Sequence, residues 1–220
     1  MKKLVSLLAL VSIFSLASCS TRGESSTTED DNTADTGDVE GNSSVNTDDL
    51  PQTGNAIVVY FSATNHTEAV AQTIAEHIDS PIYELVPTDP YDSADLNYGN
   101  SQSRVSIEHA AIEAGEDVNV ELETTDFDGF DEATYVFLGA PVWWQELSWV
   151  IEGFVSANDF SNKVIIPFGT SASSGFSLGN LTSLTEDDDN VTWLEPQRFR
   201  SSVASEDVIE WVDSLGFSFE

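Results

Sequence analysis

Three short stretches of this chain carry residue types suited to holding a phosphorylated, planar ligand, and each closes an apolar run. The first is Ser62-Ala63-Thr64-Asn65-His66-Thr67. It stands where a buried strand would hand over to a helix, whose first N–H groups and dipole favour an anion. The hydroxyls of Ser62, Thr64 and Thr67 can donate to phosphate oxygens without bringing in positive charge. Capping the helix alone would need only one of them. The second stretch, Pro141-Val142-Trp143-Trp144, sets two indoles at the carboxyl end of a strand. Indoles there need a flat partner, or packing beneath the next helix with Trp149. The third, Gly169-Thr170-Ser171-Ala172-Ser173-Ser174-Gly175, offers small side chains and backbone donors that a polar ring edge could approach.

The elements that must position these loops are written in hydrophobic periodicity. Residues 56–61, 82–86, 134–139, 164–168 and 191–194 are short, continuous apolar runs rich in β-branched and aromatic residues. Such runs predict strands buried on both faces. Between them, helical spacing predicts helices over 68–78, where Val70, Ala71, Ile74, Ala75 and Ile78 share a face, and over 104–114, 147–155, 178–184 and 206–215. Alternation of this kind predicts one α/β domain, a doubly wound sheet of five parallel strands with helices on both faces. Ligands of such sheets bind beyond the carboxyl ends of the strands, where strand order reverses. All three loaded loops belong at that edge. A G-x-G-x-x-G after the first strand and a G-x-x-x-x-G-K-[ST] are both missing, so neither common nucleotide fingerprint applies.

Composition narrows the function classes. The chain has 220 residues with 39 acidic and 7 basic side chains, a formal net charge of −32. That charge excludes a nucleic-acid footprint, which needs clustered cations. It also leaves contact with an anionic membrane to a covalent anchor. A single cysteine, Cys19, allows no internal disulfide and no cysteine-rich metal centre. The start, Met-Lys-Lys followed by an apolar run over 4–16, is too short to span a bilayer and reads as a signal peptide over 1–18. Residues 19–53 are almost entirely Ser, Thr, Asp, Glu, Asn and Gly, which predicts a disordered acidic tether. The folded domain is expected over 54–220.

Two resemblances follow from these residues. Leu16-Ala17-Ser18-Cys19 resembles the bacterial lipobox, which implies lipidation of Cys19 and export to the outer face of the cell membrane. The domain resembles the flavodoxin-like FMN-binding family, of the bacterial lipoprotein type. Four motifs carry the likeness in order: Val59 through Thr67, Pro90-Tyr91-Asp92-Ser93-Ala94-Asp95-Leu96-Asn97-Tyr98, Leu138 through Trp144, and Val164 through Ser171 with Ser174-Gly175. It implies strand order 2-1-3-4-5 and FMN phosphate on Ser62, Ala63, Thr64, Asn65, His66 and Thr67. It also implies flavin contacts from Pro141, Val142, Trp143 and Trp144 and from Thr170, Ser171, Ala172, Ser173, Ser174 and Gly175. The chain departs from the family pattern at Asn65-His66, where many relatives have Gly-Asn, and at Gln145, where many have glycine.

The resemblance implies electron transfer at the cell surface, with a redox partner protein or a small-molecule electron acceptor. An FMN-dependent NAD(P)H or quinone oxidoreductase is the alternative, and a flavin-free surface-binding lipoprotein a third. Of the histidines, His66 is either a second anion donor or a solvated residue. His77 reads as a charge at a helix C-terminus, and His109, near Arg104 and Glu108, as part of a surface helix or a residue reaching the ligand. The acidic run 186–189 lacks the spaced ligands of a calcium loop and reads as a solvated turn.

Overall fold

The structure, a computed structural model, describes residue 45 and residues 47–220 apart from 173 and 174. Cys19, the signal peptide and most of the tether lie outside the described residues. After a 3-10 turn at Thr47–Asp49, the strands are β1 (Thr53–Gly54), β2 (Ala56–Tyr60), β3 (Ile82–Glu84), β4 (Tyr135–Trp143), β5 (Glu146–Leu147), β6 (Val164–Thr170), β7 (Thr192–Trp193), β8 (Gln197–Phe199) and β9 (Ser218–Phe219). The helices are α1 (His66–Ile78), α2 (Arg104–Glu113), α3 (Glu152–Ala157) and α4 (Ser205–Ser214).

The main sheet runs β3-β2-β4-β6 and then β7 and β8, all parallel. Read by position, that is the expected order 2-1-3-4-5. The strand count is corrected from five to seven. The fifth position is split, because Pro196 cannot donate to a ladder and interrupts the run between β7 and β8. The seventh strand, β5, folds back antiparallel on the end of β4, within a stretch expected to be helical from residue 147. There a 3-10 turn at Trp149–Ile151 precedes the short α3. The helix expected at 178–184 is likewise a 3-10 turn, Leu181–Thr185.

Continuous strand hydrophobicity has a direct structural cause. Successive side chains alternate faces, and both faces are covered. Ile57, Val59, Val136, Leu138 and Ile165 pack with Phe154 and Phe160 on the α2 and α3 side. Val58, Tyr60, Phe137, Ile166 and Phe168 pack with Val70, Ile74, Val208 and Val212 of α1 and α4 on the other. Every residue of β2 is buried. At the domain's end β9 pairs parallel with β1, and the Tyr135 hydroxyl donates to the Pro51 carbonyl, tying both termini to the rim of the sheet.

Candidate functional site

Strands β2, β4 and β6 run in register, and the three loaded loops leave them at one edge. A cavity of about 340 Å³ opens between those loops. Ala63, Thr64 and His66 line it from the first loop and the start of α1, Pro141, Val142 and Trp143 from the end of β4, which continues to Trp143 instead of stopping at 139 as expected, and Thr170, Ser171 and Ala172 from the end of β6 and the third loop. Leu96, Tyr98 and Ser201 complete the wall. No lining residue is acidic.

The first loop is built to present donors. Asn65 takes a left-handed backbone, φ 64°, at the N-terminus of α1. Asparagine is among the few non-glycine residues that do so readily, which is how the turn survives without glycine. Its side chain makes no capping bond, so the opening amides of α1 are left to whatever the loop holds. The Ser62 Oγ is buried and has no hydrogen-bond partner among the described residues, and Ser62 itself is not one of the residues lining the cavity. Thr67 plays a different part from Thr64. It is only 1% exposed, and its hydroxyl shares a 2.8 Å bond with that of Thr170. The bond locks the start of α1 to the end of β6, beneath the cavity rather than in its wall.

The tryptophan pair divides its roles. Trp143, 2% exposed, packs its ring against Phe61, Tyr91 and Trp149 and reaches the cavity only as part of its wall. Trp144 is 36% exposed and is not among the lining residues. It stacks on His109 at 4.1 Å and 9°, with Tyr98 at 5.0 Å on the cavity side. Trp144 and Gln145 form the two-residue turn from β4 to β5 with φ of 47° and 69°. Positive φ at both positions is the pattern of a type I′ hairpin turn, and the Gln145 carbonyl is held there by the Ser177 N–H at 2.8 Å. Gly169 is required for a different reason. A Cβ there would meet Phe176 and Val142 at 2.9 Å as the third loop folds back over β6. Gly175 turns that loop at φ 57° with nothing close by, and Ser173 and Ser174 lie outside the described residues.

A partly buried polar knot supports the aromatic wall. Glu108 accepts from the Tyr91 hydroxyl (2.6 Å), the Trp149 indole (2.9 Å) and the Arg104 guanidinium (2.7 Å), while that guanidinium lies 3.9 Å over the Tyr91 ring. Burial, with the Glu108 bond and charge, pushes the Tyr91 hydroxyl far above its ordinary pKa, so it acts as a neutral donor to Glu108. Leu96 and Tyr98 lie in the 90–98 motif of the family resemblance, which names no contact for either, and nothing in the sequence marks Ser201. His77, expected as a bare helix-end charge, instead meets Asp213 of α4 at 2.7 Å.

A larger cavity of about 560 Å³ lies beside α3, lined by Glu116, Asp117, Glu152 and Trp149 among others. Burial, reinforced by Glu146 and Asp117, raises Glu152 to about 6. Three carboxylates repel phosphate, so size does not select this cavity. Among the described residues no group of three or more His, Cys, Asp or Glu is placed to hold a metal ion.

Residues 55–215 match the flavodoxin family. The chain belongs to this family. Among solved structures it is similar to a protein of Bacteroides uniformis described as a flavoprotein, at 30% identity and TM-score 0.62, covering 73% of this chain and 99% of that one. A flavoprotein described from Bacteroides eggerthii is similar at 27% identity and TM-score 0.61, covering 74% and 98%. A Lactobacillus acidophilus flavoprotein crystallised in complex with FMN shares the fold at 17% identity and TM-score 0.53, covering 72% and 99%. No curated protein matches the chain. For a flavodoxin the group to test against the cavity is FMN, and the residues fit it. The loop supplies neutral donors and an unpartnered buried hydroxyl for a phosphate, and an apolar wall follows for a ring.

Proposed function

We propose that this flavodoxin holds FMN in the cavity at the ends of β2, β4 and β6 and acts in electron transfer at the cell surface. It is exported and anchored there by lipid on Cys19, and serves a redox partner protein or a small-molecule electron acceptor. The observation that carries the reading is a cavity wall of hydroxyls and apolar side chains with no acid, beside a loop whose Ser62 hydroxyl is buried and unpartnered. Leaving a buried hydroxyl unsatisfied costs about 1–3 kcal/mol, and a phosphate oxygen removes that cost. Bound FMN supplies one- or two-electron redox chemistry. The chain's own residues do the holding. Ser62, Thr64 and the first amides of α1 serve the phosphate, Pro141, Val142 and the Trp143 wall meet the ring, and Thr170, Ser171 and Ala172 take its polar edge. Thr67 positions the loop through Thr170 and does not touch the ligand.

The exposed Tyr98–Trp144 rim favours a second reading, an FMN-dependent NAD(P)H or quinone oxidoreductase, because a second planar reactant could rest there. Titrating the full chain with FMN tests the shared core of both readings. A perturbed flavin absorption spectrum with quenched fluorescence is expected, and no binding at micromolar FMN would overturn them together. Reduction of the bound flavin by NADH or NADPH, and reoxidation of the reduced flavin by quinones, then separate carrier from reductase. Replacing Cys19 with Ser should release the protein from the membrane fraction, and its retention there would sink the anchor.

A further inference from the structure

The partly buried knot behind the cavity wall holds more chemistry than a strut requires. Trp143, in the wall of the 340 Å³ cavity, has three ring neighbours among the described residues. Between ring centroids, Phe61 lies at 5.7 Å, Tyr91 at 5.1 Å and Trp149 at 4.9 Å. Two of the three are oxidisable, and both give their polar hydrogen to one oxygen. The Tyr91 hydroxyl (2.6 Å) and the Trp149 indole N–H (2.9 Å) meet at Glu108 Oε2, while Arg104 Nε holds Oε1 at 2.7 Å. An O–H···O bond of about 2.5–2.7 Å marks a hydroxyl donating to an ionised carboxylate. Packing the wall needs the rings alone. A phenol paired this closely with a carboxylate is also equipped to lose an electron, because its proton has an acceptor already in place.

We infer that Tyr91 is a redox-active tyrosine, which refills one-electron holes formed at Trp143 and passes its proton to Glu108. The inference rests on the FMN reading for its oxidant, light-excited FMN in the cavity. Trp143 gives up one electron there, and FMN is reduced by that electron. Tyr91 then returns an electron to the Trp143 ring. Its phenol O–H bond breaks as a new O–H bond forms at Glu108 Oε2. The balance is one electron gained by FMN, a neutral tyrosyl radical and a protonated Glu108, with Trp143 restored. Arg104 stays on Oε1, so the proton has one oxygen to land on. It remains within the 2.6 Å bond, and when the electron comes back the phenol and the carboxylate re-form. The hole ends on Tyr91 rather than Trp149 because an oxidised phenol is a far stronger acid than an oxidised indole. It therefore gains more from the shared carboxylate. Tyr98 touches Trp144 at 5.0 Å but has no carboxylate on its hydroxyl among the described residues, so it serves as the control.

The test illuminates the full chain saturated with FMN and reads the tyrosyl radical by transient absorption. Wild type should form it, and Tyr98→Phe should form it within twofold of wild type. Tyr91→Phe should lower the yield at least fivefold, while it binds FMN within twofold and keeps the wild-type near-ultraviolet circular dichroism. Glu108→Gln, which keeps a hydrogen-bond acceptor but cannot take the proton, should lower the yield as far. No tyrosyl radical in wild type would overturn the inference, as would an equal yield in Tyr91→Phe or in Glu108→Gln. If Glu108→Gln does not fold, slower radical formation in heavy water than in ordinary water takes its place, and equal rates would overturn the proton step. If wild type binds no FMN, azidyl radicals supply the oxidant to the ligand-free full chain. A tyrosyl yield that still falls in Tyr91→Phe would then keep the relay and drop the FMN reading. A yield that Tyr91→Phe leaves unchanged would end both.

Discussion

The cavity at the strand ends and the cavity beside α3 are both walled in part by the aromatic cluster around Trp143 and Trp149, yet they are made of opposite chemistry. The larger, about 560 Å³, gathers Glu116, Asp117 and Glu152. The smaller, about 340 Å³, has hydroxyls, backbone, one histidine and no acid. With 39 acidic residues among 220, the absence of any acid from this wall matters, and the loop that forms part of it carries the unpartnered Ser62 hydroxyl. In a strongly acidic protein, the phosphate site is recognised by where carboxylates have been kept out. Volume is a poor guide to it.

The change that should break this contrast most severely is Ser62→Ala with Thr64→Val. Hydrogen bonds to a charged group contribute about 1.5–3 kcal/mol each, so the pair should weaken FMN binding by about 100-fold or more, read by fluorescence titration. The same Ser62→Ala change should not destabilise the ligand-free fold, because it removes a hydroxyl that has no partner. A lower thermal midpoint in ligand-free Ser62→Ala would show that the hydroxyl serves the fold.

Thr67→Val tests the division of labour inside the loop. It orphans the Thr170 hydroxyl, at a cost of about 1–3 kcal/mol, so the urea midpoint should fall clearly. FMN affinity should drop less than in Thr64→Val. If Thr67→Val weakens FMN more than Thr64→Val does, Thr67 touches the phosphate and its inward placement is wrong.

What could be read in the sequence follows the range of the forces involved. Helix faces and the placing of the three loops at the strand ends depend on apolar periodicity and on turn residues, and both are local, whereas the strand order came only with the family resemblance. Asn65 in the left-handed region followed from the chemistry of one side chain. The splitting of the fifth strand at Pro196 was visible in the residue but not weighed. Other features were not local. Which tryptophan faces the core depends on Tyr91, Glu108 and Trp149 meeting across three segments. Ser201 enters the cavity only because β8 delivers the following turn there. The β4–β5 hairpin was hidden because Trp144-Gln145 carries none of the Asn-Gly or Gly signals of such turns.

That hairpin lies between the two cavities, with Trp144 beside the Tyr98 rim and Glu146 close enough to raise Glu152. A left-handed conformation costs a non-glycine residue about 1–2 kcal/mol, so Gln145→Gly at φ 69° should stabilise the fold. The gain should be about 1 kcal/mol by urea unfolding, since glycine also gives the unfolded chain more freedom. A loss instead would mean that the Gln145 side chain holds the turn.

The smallest effect is expected in the larger cavity, and its sign is set by titration. Glu152 moves from an ordinary 4.5 to about 6, first through burial and then through Glu146 and Asp117. The folded state therefore holds the proton more tightly than the unfolded one, and ionising Glu152 opposes folding. The penalty is nil below about pH 4.5, grows as pH rises through 6 and is complete above it. Such a displacement corresponds to about 2 kcal/mol, reduced by solvent screening of this partly exposed group to about 1. Glu152→Gln should match wild type at pH 4.5 and exceed it by that amount at pH 7.5. It should leave FMN affinity unchanged at both, because the carboxylates that crowd this cavity take no part in the other. A shift in FMN affinity with Glu152→Gln would mean that the two cavities are electrostatically coupled through Glu146 and Trp149.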